Sequence, residues 1–176
     1  MTNLAALQAT LQSPALKLVF DHWLDARKGR LMPAWRDIDP AVIGIYLPKV
    51  WAWRFDPERD TFIGRLAGED ILAVIGCRIH GRPLEDCFSA ENAAIVLPRH
   101  RHVIGGPKIM RTSGRVYMMT GRHGTGERIA LPLADDGVTG DGVLGVTEYH
   151  LSIADARTTG AAIDHHDETV VFYSLT

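Results

Sequence analysis

Trp51-Ala52-Trp53-Arg54-Phe55-Asp56-Pro57-Glu58-Arg59-Asp60-Thr61-Phe62-Ile63-Gly64-Arg65-Leu66 is the stretch on which the fold turns. Trp51, Trp53 and Phe55 alternate with Ala52 and Arg54, and Phe62, Gly64 and Leu66 alternate with Ile63 and Arg65. A two-residue period marks a strand with one face turned inward. Asp56-Pro57-Glu58-Arg59-Asp60, between the two runs, has the composition of a turn. A β-hairpin is expected here.

Upstream of the hairpin the period is near 3.6. Leu4, Leu7 and Leu11 form one stripe, and Leu16, Val19, Phe20, Trp23 and Leu24 form a second after Ser13-Pro14, a cap followed by a first-turn proline. Gly29 is a natural stop. Asp39-Pro40 repeats the cap signal ahead of Ala41 to Leu47, one or two helical turns closed by Pro48. Trp51 and Trp53 are candidates to pack against these N-terminal helices. Downstream, Gly68-Glu69-Asp70 opens a short helix through Ile75, a glycine-punctuated loop runs from Gly76 to Phe88, and Ser89 caps a longer helix through Ile104. Pro98 is expected to kink or restart that helix. Strands follow near 108–112, 115–121, 127–134 and 142–150, with turns at Ser113-Gly114, Gly124-Thr125-Gly126 and Asp135-Asp136-Gly137.

This order predicts an α+β domain in which one antiparallel, five-stranded sheet is covered on one face by helices from the middle of the chain, with an N-terminal helical extension. Residues 1–30 are assigned to the extension, 31–152 to the domain and 153–176 to a C-terminal tail. Four segments resemble a known family. Pro33-Ala34-Trp35-Arg36-Asp37-Ile38-Asp39-Pro40 with Leu47-Pro48 is similar to the opening Pro-x-Arg-x-Asp-Ile-Asp-Pro and Leu-Pro of the PAS-like domains of short bacterial proteins, with the arginine one place later. Phe62-Ile63-Gly64-Arg65-Leu66-Ala67-Gly68, Gly76-Cys77-Arg78-Ile79-His80-Gly81-Arg82-Pro83-Leu84 and Leu131-Pro132-Leu133-Ala134-Asp135-Asp136-Gly137 resemble the strand, loop and final turn that follow in that family. The departures are Arg78, Ile79 and His80 where the family more often has Asp, Leu and Thr, and Glu69 where Thr is usual. The resemblance spans roughly residues 31–150. It implies the Per-Arnt-Sim fold and a small sensory or protein-interaction domain that holds a small molecule between sheet and helices or dimerises through flanking helices.

Composition excludes several other classes. The 176 residues carry 19 Lys and Arg against 21 Asp and Glu, a formal charge of −2, so the chain has no basic excess with which to hold a nucleic-acid backbone. Apolar runs such as Ile71-Leu72-Ala73-Val74-Ile75 are far shorter than the ~20 residues of a membrane span. The opening Met1-Thr2-Asn3-Leu4-Ala5 has no basic region ahead of an apolar core, so a cytoplasmic location is expected. Cys77 and Cys87 are too few to staple a fold and are read as thiols.

Candidate chemistry is sparse. Asp164-His165-His166-Asp167-Glu168 packs five potential ligands into an expected tail, where adjacent side chains diverge instead of converging on a metal. Arg99-His100-Arg101-His102 points around most of a helix and reads as a solvated face. His102 occupies the type of helix position from which a haem-binding PAS domain supplies its axial ligand, though a partly exposed histidine is the plainer reading. Gly76-Cys77-Arg78 lacks the Asn and Phe of the photoactive flavin loop Asn-Cys-Arg-Phe. Ser13, Ser89, Ser113, Ser152 and Ser174 sit outside any Gly-x-Ser-x-Gly elbow, and Gly121-Arg122-His123-Gly124-Thr125-Gly126 has neither dinucleotide nor phosphate-loop spacing.

A pocket between sheet and helices is expected to draw on Phe62, Leu66, Met110, Met118, Ile129 and Leu131 from strands and Ile75, Ile95, Val96 and His102 from helices, with a filled core as the competing expectation. No cofactor is specified. The leading reading is a non-enzymatic PAS-like sensor that binds a small molecule, a signalling protein partner or both, with a homodimer expected through the N-terminal helices. The alternative is a small enzyme using His80, His102 or His123 with a carboxylate as general acid and base. A third reading, a purely structural dimerisation module formed by residues 4–24, rests on an exposed Leu16-Phe20-Trp23 stripe.

Overall fold

The computed structural model describes residues 4–119, 122–151 and 168–176. The hairpin forms as expected: β1 (Val50–Asp56) pairs antiparallel with β2 (Thr61–Ala67). The later strands are β3 (Lys108–Met119), β4 (Arg122–Leu133), β5 (Gly142–Leu151) and β6 (Glu168–Ser174). These strands pair antiparallel throughout in the order β2-β1-β5-β4-β3-β6, so the early hairpin joins the late strands through β1 and β5. The sheet therefore has six strands where five were expected. The extra one comes from residues 168–174, expected in the tail, because Val170-Val171-Phe172-Tyr173 has the β-branched and aromatic composition that suits an edge.

Two expected turns are strand interior. Ser113-Gly114 and Gly124-Thr125-Gly126 pair with one another across β3 and β4, Ser113 opposite Glu127 and Gly114 opposite Gly126, with a register shift between Arg115 and Tyr117. The expected strand near 108–112 and the described part of that near 115–121 are thus one long strand. Gly126 is there for contact, not for turning: a Cβ on it would lie 2.0 Å from the Glu148 carbonyl oxygen of β5.

Helices α1 (Leu4–Thr10) and α2 (Pro14–Ala26) cover one face of the sheet, and α3 (Glu69–Ile75) and α4 (Ala90–Gly105) cover the other. The mid-chain helices cover one face as expected, and the N-terminal extension covers the other. Strand alternation explains it: Val50, Ala52, Ile129, Leu131, Leu144 and Val146 pack toward α1 and α2, while Trp51, Trp53, Met110, Ala130 and Val143 pack toward α3 and α4. Runs such as Ile129-Ala130-Leu131 are apolar at every position, as a sheet buried on two sides requires. Leu16, Phe20 and Trp23 are fully buried against their own sheet, so the stripe expected to be exposed for dimerisation is core. The Trp23 indole donates to the Pro132 carbonyl, 2.9 Å away.

Local chemistry fixes the N-terminal layer. The Ser13 hydroxyl accepts from the Ala15 and Leu16 amides and starts α2. Glu127 of β4 accepts from the amides of Gln12 and Ser13, both at 2.9 Å, and pairs with Arg111 of β3. Burial opposes ionisation of Glu127, but these donors outweigh it and hold the carboxyl below its ordinary range. On the opposite face α3 ends at Gly76, whose φ of 71° is left-handed, and α4 starts from a Ser89 cap and runs through Pro98 without restarting. No described helix is long and apolar enough to cross a membrane.

Candidate ligand pocket

A cavity of about 200 Å³ lies between α3, α4 and the sheet. Ile71, Val74 and Ile75 of α3, Ile95 and Val96 of α4 and Phe88 form its apolar wall, and Trp51 and Trp53 of β1 form its floor. Toward β4, β3 and β6 the lining changes to guanidiniums: Arg128, Arg115 and, from α4, Arg99, with one carboxylate, Glu168. Arg99 grips Glu168 through two parallel hydrogen bonds of 3.0 and 2.8 Å, which tie α4 to β6. Thr147, fully buried on β5, accepts at Oγ1 from Trp51 Nε1 at 2.9 Å and from Arg128 Nε at 3.2 Å, so one hydroxyl orients an indole and a guanidinium together. Arg128 also donates to the Val116 carbonyl. Space for the Trp51 ring is made by Gly145 opposite it in β5, where a Cβ would lie 2.0 Å from the indole.

His100 stands at the centre of this arrangement. It is 3% exposed, stacked on Trp51 at 5.4 Å between centroids and met edge-on by Phe62 at 5.3 Å. Burial, reinforced by the charges of Arg128 and Arg99, pushes its pKa down to about 3, so the imidazole is neutral at physiological pH. Its Nδ1 is buried with no hydrogen-bond partner among the described residues.

Helices on a twisted antiparallel sheet, an early hairpin closed against late strands and a cavity beneath the long helix form a recognised arrangement, and a model of the PAS domain family matches residues 11–148. The chain belongs to the PAS domain family. The match runs from just before α2 into β5, so it includes the helix that covers the far face. No curated protein and no solved structure matches the chain.

The ten residues expected around a PAS pocket separate into groups. Ile75, Ile95 and Val96 line the cavity. Phe62 and Met110 are buried in the same apolar cluster but form no part of its wall. Ile129 and Leu131 face the opposite way, into the layer under α1 and α2. Leu66 is 43% exposed on β2, the edge strand. His102 is exposed, its ring edge-on to Phe172 of β6 at 4.5 Å. The side chain of Met118 lies outside the described residues.

Other expectations are corrected by the same geometry. Trp51 and Trp53 turn toward α3 and α4, away from the N-terminal helices, because odd-numbered positions of β1 share that face. Arg99-His100-Arg101-His102 is no uniform solvated face: His100 is buried, Arg99 holds Glu168 and Arg101 holds Asp60 at 2.8 Å. The signal for His100 was present, since Ala93, Val96, His100 and Val103 recur at helical spacing on the inner side of α4. Arg115 and Arg128, single charged residues within strands, gave no such signal.

Among the described residues, the histidines considered for acid and base chemistry lie at opposite edges of the sheet. His80 bonds the Arg65 carbonyl at the β2 edge, His102 lies by β6 at the other edge, and His123 has its side chain outside the described residues. Residues 164–167 of the acidic and histidine-rich stretch also lie outside them. Among the described residues no three metal-ligating side chains cluster.

Proposed function

We propose that this PAS domain is a non-enzymatic sensor whose cavity binds a small molecule with an apolar body and an anionic group. PAS domains are sensory or signalling modules, and the reading is carried by one observation: a cavity that passes from indole and aliphatic walls to a lining with three guanidiniums and one carboxylate. An apolar cavity of about 150 Å³ takes up benzene, so about 200 Å³ suits a single ring or short chain with a carboxylate. A neutral His100 adds no charge of its own between the rings, while Arg115 and Arg128 supply positive potential at low dielectric. The occupant would touch both α3 and α4, so filling the cavity would bias their packing and give a partner protein something to read.

Thermal unfolding with benzoate and hexanoate, each against its neutral amide, tests this. The acids are expected to raise Tm and the amides to do so less, with the effect approaching the roughly 2.7 kcal/mol given by a ligand at a hundredfold its Kd. Ile95→Trp, which fills the cavity from α4, should remove the response. Equal effects on wild type and Ile95→Trp, or no response to any of the four compounds, would overturn the reading.

A further inference from the structure

The loop that links α3 to α4 brings together two sulfurs ten positions apart. Cys77 follows Gly76, the left-handed residue that ends α3, and Cys87 closes the 3-10 turn Leu84–Asp86. Both are thiols, and their Sγ atoms are 3.1 Å apart, about 1 Å beyond a covalent S–S bond. This closeness belongs to an anchored segment. Ile79 and Leu84 are buried, the Gly64 amide donates to the Arg82 carbonyl at 2.9 Å, and the Gly81 amide donates to the Gly64 carbonyl at 2.9 Å, so the loop is tied to β2 between its two cysteines.

The pair is asymmetric. Cys77 is half-buried and its sulfur accepts from Nη1 of Arg82 at 3.6 Å. Cys87 is buried on the pocket wall, and burial together with the neighbouring Cys77 sulfur pushes its pKa up to about 12. The more accessible partner, Cys77, is therefore the one a peroxide reaches first, and the buried Cys87 is the one that closes the bond.

We propose that Cys77 and Cys87 form an oxidation site at which a peroxide converts two thiols into an intramolecular disulfide. The Cys77 thiolate attacks one peroxide oxygen, the O–O bond breaks, and the departing oxygen leaves as hydroxide that takes up a proton to give water; Cys77 becomes a sulfenic acid. Cys87 Sγ then attacks Cys77 Sγ, the S–O bond breaks, and the second hydroxide leaves with the Cys87 proton as water. Two electrons pass from the sulfurs to the peroxide. The new bond ties the end of α3 to the segment entering α4, both of which border the cavity, so the shape of its mouth depends on oxidation state. The site stands whatever occupies the cavity.

The test treats the full chain with hydrogen peroxide, then denatures, alkylates with N-ethylmaleimide and measures intact and peptide masses. Reduced protein is expected to take two labels. Oxidised protein should show about a tenfold loss of labelling, a 77–87 cross-linked peptide, and recovery with dithiothreitol. Cys87→Ser should stop at a Cys77 sulfenic acid that dimedone captures, and Cys77→Ser should leave Cys87 fully labelled after the same exposure. Retention of both labels in wild type, a cross-link between two chains, or conversion of Cys77 to sulfinic acid without a 77–87 peptide would overturn the proposal.

Discussion

His100 shows how one side chain acquires its properties from what surrounds it. An imidazole in water has a pKa near 6.5, and this one is held at about 3 by burial and by Arg128 and Arg99. Between these values the unfolded chain binds a proton that the folded chain refuses, so stability is complete above about pH 6.5 and falls as the solution is acidified toward pH 3. Going from pH 7 to pH 5 should cost the protein about 2 kcal/mol through this residue alone. Urea unfolding of wild type and His100→Leu at the two pH values measures it: the variant should show a smaller drop, and an identical drop in both would exclude His100 as its source. The helical spacing of Ala93, Val96, His100 and Val103 points inward, yet the flanking arginines make Arg99-His100-Arg101-His102 read as a solvated face. Only Glu168 of β6, Asp60 of the hairpin turn and the Trp51 ring, all remote in sequence, explain how a basic run can sit against a core.

Helix α2 was legible as an element and not as a layer. Its cap, its proline and its apolar stripe are all local, and the structure has each of them in place. What the stripe meets is not local. Phe20, expected at a surface between two copies, is fully buried against the sheet and stacks near Trp23. Phe20→Glu should therefore cost about 3–5 kcal/mol of stability, since it removes a buried ring and places a carboxylate in its stead. Circular dichroism melting with sedimentation distinguishes the two outcomes: loss of folded protein is expected, and a stable monomer replacing a wild-type dimer would restore the interface reading. The turn expected at Gly124-Thr125-Gly126 fails for a related reason, because glycine also serves where neighbouring backbones approach, and the strand that approaches Gly126 is β5.

The complete sheet depends on its last strand. β6 pairs along β3 from Lys108–Ser174 to Gly114–Glu168 and supplies the carboxylate that Arg99 holds across the pocket. Ending the chain at residue 167 would leave β3 as an unpaired edge and strand a half-buried guanidinium. The truncated protein is expected to melt several degrees lower and to associate at concentrations where the full chain does not. Scanning calorimetry and light scattering measure both, and an unchanged Tm would show that β6 contributes nothing to the fold.

Periodicity, caps and turn residues are properties of neighbours in the chain, and they were sufficient for the hairpin, for α2, α3 and α4 and for the PAS-like order of helices and strands. The sixth strand, the second covered face, the inward turn of Trp51 and Trp53, the Arg99–Glu168 grip and the meeting of Cys77 with Cys87 came only from the folded chain. Each of these joins residues that the polymer backbone does not hold near one another. Their positions follow from which faces of the sheet must be covered, and that is settled when all the elements pack at once.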